Sequence, residues 1–178
     1  MPSIPLQRTL AISSLVYAAS LWGLVWYPYR LLSEAGVGGI ASSLFTYATP
    51  LLLIGWLHGR VLREARGRWL WLAAIGMTAG WTNLAYVLAV LEGEVVRVLL
   101  LFYLSPLWTV LFARFLLHEK LNRAGWAVMA LAAGGALVML WQPGEWPLPA
   151  NRAEWLGLSA GVMFAASNVI SRHLEGVA

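Results

Sequence analysis

His58-Gly59-Arg60-Val61-Leu62-Arg63-Glu64-Ala65-Arg66-Gly67-Arg68 sets four arginines between two stretches, residues 40–57 and 69–91, that hold no charged residue at all. Each of those stretches is close to the roughly 20 residues a helix needs to cross about 30 Å of hydrocarbon. Four more of the same kind make up the rest: residues 10–32, 95–117, 124–141 and 155–171. Six such stretches in 178 residues leave too little polar sequence to cover them as buried helices of a soluble protein. The chain is 60% hydrophobic and 11% charged, with mean hydropathy +0.70, against about 25% charged in soluble domains. Lipid is therefore the solvent for most of its surface, and the expected fold is all-α, a polytopic transmembrane helix bundle.

The arginine-rich connector also orients the chain. With the N-terminus and Arg8 inside, each crossing reverses the side. The inner set is then Arg8, Arg60, Arg63, Arg66, Arg68, Arg114, Lys120, Arg123 and Arg172, and the outer set is Arg30, Arg97 and Arg152. Nine basic residues against three in short connectors predict a cytoplasmic N-terminus. The formal +4 charge and pI near 9.9 do not point to nucleic acid, because the basic residues sit beside spans instead of forming one groove. Their expected partner is anionic membrane lipid. Trp69, Trp71, Trp126, Trp141, Trp146 and Trp155 lie near span ends, where an indole anchors at the headgroup level. The first stretch is too long for a signal peptide and reads as a span. Without cysteine the chain has no disulfide and no thiolate site.

Local signals refine the bundle. Residues 142–154 contain Pro143, Gly144, Pro147, Pro149 and Asn151 and form a punctuated outer linker. Glu92-Gly93-Glu94 separates two spans so briefly that they must form an antiparallel hairpin. Small residues at helix-packing spacing, Gly76 and Gly80, Ala130 and Gly134, Gly157 and Gly161, predict close helix contacts. Pro50 and Pro106 fall within spans and predict helix breaks or kinks. Arg97, three residues after Glu94, has two readings: an intrahelical ion pair, or a carboxylate-binding fork for a solute.

Tyr17-Ala18-Ala19-Ser20 in the first span is echoed by Phe164-Ala165-Ala166-Ser167 in the sixth. The echo follows five crossings, so the second copy starts on the opposite side. That is the arrangement of a five-helix unit followed by its inverted repeat. On this expectation only the first repeat is complete, and the missing C-terminal half, or a second chain, is a partner.

The sequence resembles the drug/metabolite transporter superfamily, specifically its ten-helix members built from two EamA-type domains. The resemblance is carried by residues 86–140: Glu92-Gly93-Glu94, then Leu104-Ser105-Pro106-Leu107-Trp108, then Leu117-His118-Glu119-Lys120-Leu121, then the fifth span with Gly134-Gly135. The aromatic-small-Trp-Gly character of residues 17–23 matches the first helix. The resemblance implies residues 1–141 as the first EamA-like unit of five helices, 142–154 as the outer linker, and 155–178 as the first helix of an incomplete second unit. It also implies a multi-pass protein of the bacterial inner membrane that exports or exchanges small metabolites by alternating access. Amino acids are among these, and bacterial aromatic amino-acid exporters are one subgroup.

Mid-span polar and aromatic residues are the candidates for solute contact, since an unpaired polar group is costly in hydrocarbon. Asn83 offers a donor and an acceptor, with Trp81 and Tyr86 as neighbouring rings; a helix–helix hydrogen bond is its other reading. Tyr103 and Ser105 precede Pro106 and Trp108 follows it, and Ser105 and Trp108 share a helix face. Ser20 and Trp22 approach from the first helix and Asn168 from the sixth, with ordinary packing as their alternative. His58, His118 and His173 lack metal-ligand spacing, so no metal site is expected. No phosphate-cradling loop, zinc motif or paired carboxylate suggests a catalytic site or a cofactor. A secondary transporter is the leading expectation, a structural or assembly protein the second, and a membrane enzyme the third.

Overall fold

The structure is a computed structural model that describes residues 4–57, 65–141 and 148–176. Most of the arginine-rich connector, with Arg60, Arg63 and Glu64, lies outside the described residues. So does part of the outer linker, with Pro143, Gly144, Trp146 and Pro147. The described helices are α1 (Ile4–Leu24), α2 (Trp26–Glu34), α3 (Gly39–Leu57), α4 (Trp69–Glu92), α5 (Val95–Phe102), α6 (Ser105–Leu116), α7 (Arg123–Leu140) and α8 (Arg152–Gly176). A short 3-10 turn, Ala65–Arg68, leads into α4. Together they give six segments long and apolar enough to cross a membrane. Trp56 is 82% exposed, Leu131 78% and Val138 75%, a surface that suits hydrocarbon and not water.

Two spans are split, and a proline accounts for each. Pro28 and Pro106 have no N–H, so the carbonyls four residues earlier, those of Leu24 and Phe102, lose their helical donor. Leu24 and Phe102 are the residues at which α1 and α5 end. The sequence predicts the break at Pro106; the one before Pro28 is not anticipated. The expected break at Pro50 is corrected, because α3 runs through it. The hydroxyls of Thr46 and Thr49 donate one turn back to the carbonyls of Ser42 and Phe45, at 2.8 Å each.

The centre of the fold is α8, which packs chiefly against α4 and then against α6 and α5. Ala85, Tyr86, Ala89 and Val90 of α4, Val98 and Phe102 of α5 and Ala160 of α8 form the buried core. Glycine explains how near α8 comes to α5. A Cβ on Gly157 would stand 3.2 Å from the Val98 carbonyl oxygen, and one on Gly161 would stand 2.7 Å from that of Phe102. The two backbones therefore touch directly, which in lipid supplies the attraction that water would otherwise provide. The other predicted small-residue contacts are corrected: Gly76, Gly80 and Gly134 have nothing within 4 Å of a modest side chain, and Ala130 is exposed. The reason for the last two is that α7 leans chiefly on α5 and α6 and leaves most of its length uncovered.

The start of α7 is set locally. Asn122 is its N-cap, and its side-chain oxygen accepts the Gly125 N–H at 2.7 Å, satisfying a donor that has no partner inside the helix. Asn122→Ala is expected to cost about 1 kcal/mol, seen as a lower thermal midpoint in detergent, while Asn122→Ser should stay near the parent. Equal midpoints for the alanine and serine variants would show that the cap contributes nothing.

Candidate functional site

One long helix carries two jobs on adjacent faces. Ala153, Gly157, Ala160 and Gly161 of α8 are buried against the fourth and third spans. Trp155, Leu158, Ser159, Val162 and Met163, at the i, i+3, i+4, i+7 spacing of a single helical face, instead line an open groove with Trp108 of α6. The groove measures about 300 Å³. Its exposed wall is almost wholly apolar. The Trp108 indole N–H is buried without a protein partner. The Trp81 indole N–H donates to Ser159 Oγ at 3.2 Å, and the Ser159 hydroxyl donates to the Leu156 carbonyl at 2.8 Å. Further along the same two helices lies a wholly apolar depression of about 200 Å³, bounded by Phe112, Phe115, Ala166 and Ile170 among others.

A second cluster gathers rings from four helices. Trp22 of α1 stacks on Tyr86 of α4 at 6.0 Å and on Phe164 of α8 at 6.2 Å. Phe102, the last residue of α5 before the break, meets Tyr86 edge-on at 5.4 Å and Phe164 at 5.5 Å. Trp22 is thus the main link between α1 and the core. Close to this cluster in sequence, the Tyr86 hydroxyl and the Asn83 side-chain oxygen are buried without a protein partner. A group in that state costs about 1–3 kcal/mol.

The sequence-predicted residues divide accordingly. Trp22 and Tyr86 come together in the ring cluster. Trp108 lies in the groove, and Trp81 reaches it through Ser159. Asn83 and Ser105 are buried, and the Ser105 carbonyl accepts the Thr109 hydroxyl at 2.9 Å. Ser20, Tyr103 and Asn168 are exposed and do not line the groove. The Ser20 hydroxyl turns back to the Val16 carbonyl, and the Tyr103 ring lies edge-on to Phe102 at 6.0 Å.

Arg97 does not take the intrahelical reading. Its guanidinium does not pair with Glu94 but grips Glu154 of α8, Nε to Oε1 at 2.9 Å and Nη2 to Oε2 at 3.2 Å, with both side chains nearly fully buried. Helix geometry explains the switch: Glu94 is the N-cap of α5 and stands at its rim, whereas the start of α8 is pressed against the α4–α5 turn, Ala153 against Gly93. Glu154 also accepts from the Ala150 N–H at 3.0 Å and the Asn151 amide at 2.9 Å, while its own N–H donates to Asn151 Oδ1. Asn151 and Glu154 make one half of a capping box, the Glu154 N–H bonding the Asn151 side chain while the carboxylate takes the Ala150 N–H in place of that of Asn151, and the three-residue spacing is visible in the sequence. Ser159, Met163, Phe102 and Phe164 had no comparable signal. At the opposite end of α8, Arg172 pairs with Glu119 at 2.7 Å in an exposed setting.

Residues 9–141 match the model of the EamA-like transporter family. An uncharacterized transporter of Pseudomonas aeruginosa is 28% identical over 178 residues, covering 97% of this chain and 57% of its own length. The transporter YojE of Bacillus subtilis is 35% identical over 138 residues, 71% of this chain and 46% of its own length. A riboflavin transporter of Rhizobium johnstonii is 28% identical over 123 residues, 68% of this chain and 35% of its own length. The chain therefore spans about half the length of the relatives it matches, or less. No solved structure matches it significantly. With a family match that runs from the first span to the end of the fifth, on an all-α bundle of membrane-crossing helices, the chain belongs to the EamA-like transporter family.

Proposed function

We propose that this chain supplies one half, and the opening helix of the other, of a ten-helix secondary transporter that exports or exchanges small metabolites across the bacterial inner membrane. Residues 1–141 are the first five-helix unit, with a cytoplasmic N-terminus. Residues 142–154 link it to an inverted unit that opens with residues 155–178. The half-length coverage of the relatives supports this division, and the basic-residue count supports the orientation. One unit rocks against the other, and the solute moves along the face of α8 that looks toward α6.

The observation that carries this reading is the groove of about 300 Å³ with a buried, unpartnered Trp108 N–H beside a fourth span broken at Pro106. Solute sites in such transporters belong where helices are discontinuous and polar groups face inward. Asn83 and Tyr86, from the third span, are the second set of contacts. A relative named for riboflavin transport supports an organic solute of metabolite size.

Reconstitution of the protein in vesicles, with amino acids and other small metabolites screened as labelled solutes, tests the proposal. Trp108→Ala and Asn83→Ala should each lower flux of the transported solute by about tenfold or more, the effect of losing one well-made contact, with folded yield close to the parent. Full flux in both variants would remove the groove and the third span from the path. No flux of any solute in folded protein, sampled in both orientations, would sink the transporter reading itself.

A further inference from the structure

We infer that α8, which the sequence echo makes the opening helix of the second unit, moves as part of the first: the seam between α8 and the α4–α5 hairpin stays shut through the transport cycle, and the joint between the moving bodies lies beyond α8 and not in residues 142–154. The inference rests on the proposal of two units that rock against each other, and it assigns α8 to one of them.

Attachment runs the whole length of the helix. At the outer end the buried Arg97–Glu154 pair ties α8 to α5, and a second, exposed pair, Arg152 Nη1 to Glu92 Oε1 at 3.5 Å, ties it to the end of α4. Ala153 sits so close to the turn between those helices that a Cβ on Gly93 would meet its own at 2.5 Å. In the middle, Gly157 and Gly161 lie on the backbone of Val98 and Phe102, and Ala160 and Ala165 are fully buried. The Trp81 indole of α4 reaches across to Ser159 at 3.2 Å. At the inner end Arg172 Nη2 meets Glu119 Oε1, in the connector after α6, at 2.7 Å, and the His173 ring lies 5.0 Å from that of Trp71, near the start of α4. From Ala153 to His173 is about 30 Å of helix, the thickness of the hydrocarbon itself.

Rocking leaves a mark on the seam that moves. Two bodies that alternate access around a central site stand apart at one end of their seam in each end state, and between those states they enclose a space at its middle. The seam of α8 has the opposite form: both ends are engaged in one conformation, and the middle is backbone against backbone. Opening the outer end would part a buried guanidinium from its carboxylate. Opening the inner end would pivot α8 on Gly157 and Gly161, whose neighbours include main-chain atoms that cannot rotate aside. Surfaces packed in this way shift as whole bodies and do not stretch.

A consequence for the groove follows. Leu158, Val162 and Met163 lie on the adjacent face of α8, so the first unit and α8 together present them as one fixed wall. The wall that moves comes from the rest of the second unit.

Cross-linking across the two exposed ion pairs tests the seam without touching its core. Residues 1–178 contain no cysteine, so on a background free of other cysteines Glu92→Cys with Arg152→Cys marks the outer end, and Glu119→Cys with Arg172→Cys the inner one. The reagent is a short bis-methanethiosulfonate, whose links a reductant removes, applied to the reconstituted protein. In the four-cysteine variant both links should form in the same molecule, read from its intact mass. Flux of the transported solute should stay within about twofold of its value after reduction, with either link or with both, since the pairs replaced are exposed and contribute little. Two outcomes overturn the inference. One is a first link that excludes the second, because a seam that rocks is open at one end when shut at the other. The other is a loss of flux of about tenfold or more that reduction restores, the mark of a blocked conformational step. If the unlinked protein carries no solute at all, the transport reading fails by itself, and the yield of doubly linked molecules still decides whether α8 is fixed to the first unit.

Discussion

Removing one partner of the Arg97–Glu154 pair is expected to cost about 3–5 kcal/mol, the largest loss of any single change outside the glycine face. The two side chains are 7% and 5% exposed and meet through two parallel hydrogen bonds. Glu154→Gln keeps the shape but turns one of the two oxygens into an NH2 donor, so it can keep only one of the hydrogen bonds from Asn151 and Ala150, and it takes the Glu154 charge away from a buried guanidinium. Arg97→Met leaves a buried carboxylate in the same position. Either variant should show a sharply lower thermal midpoint and a smaller folded fraction in detergent. The double variant Arg97→Met with Glu154→Leu removes both charges together, and should recover most of the loss, keeping a deficit of about 1 kcal/mol for the acceptor that Ala150 and Asn151 lose. Arg97→Lys should not rescue, since an ammonium cannot make the paired fork. A Glu154→Gln variant as stable as the parent would show that the pair is not buried. The exposed pair at the other end of α8, Arg172 with Glu119, with side chains 65% and 44% exposed, serves as the contrast. Glu119→Gln should change stability by less than about 1 kcal/mol.

That contrast also explains what could be read from the sequence and what could not. Six membrane-crossing segments follow from apolar length alone, because in lipid each helix must satisfy its own backbone and so declares itself locally. The break at Pro106 was legible for the same reason: a missing N–H frees a carbonyl four residues back wherever the helix sits. The partner of Arg97 was not legible. Glu94 is three residues away and Glu154 is 57 residues away, and only the docking of α8 on the α4–α5 hairpin decides between them. The small-residue pairs show the same limit. Gly76 and Gly80 have the spacing of Gly157 and Gly161, yet only the latter pair meets a neighbouring backbone. Spacing marks a face that permits close approach; the arrangement of helices determines which face is used. Of the candidate site, the tryptophans and Asn83 stood out as costly residues inside spans. Phe102, Phe164, Ser159 and Met163 are ordinary in a hydrophobic sequence and become distinctive only by what lies opposite them.

Gly161 and Pro106 are expected to be coupled, although they lie on different helices. Pro106 deprives the Phe102 carbonyl of its helical donor, and that oxygen stands 2.7 Å from where a Cβ on residue 161 would be. The obstructing atom is backbone and cannot rotate aside. Gly161→Ala must therefore push α8 away from α5 or bend the freed carbonyl, and overpacking of this kind costs about 1–3 kcal/mol, only partly offset by the higher helix propensity of alanine, about 1 kcal/mol. Gly161→Leu should separate the helices and largely abolish folding. Gly76→Ala and Gly80→Ala, where nothing lies within 4 Å, should be neutral or stabilising, and they provide the measure of propensity alone. Pro106→Ala returns an N–H to residue 106, so the Phe102 carbonyl can turn back into its own helix and away from residue 161. In the double variant Pro106→Ala with Gly161→Ala, the cost of the alanine at 161 should then fall, giving a coupling of about 1 kcal/mol in a double-mutant cycle of thermal stabilities. Additive effects would mean that the freed carbonyl is not what Gly161 accommodates, and that the glycine is needed only for the approach of Val98 and its neighbours.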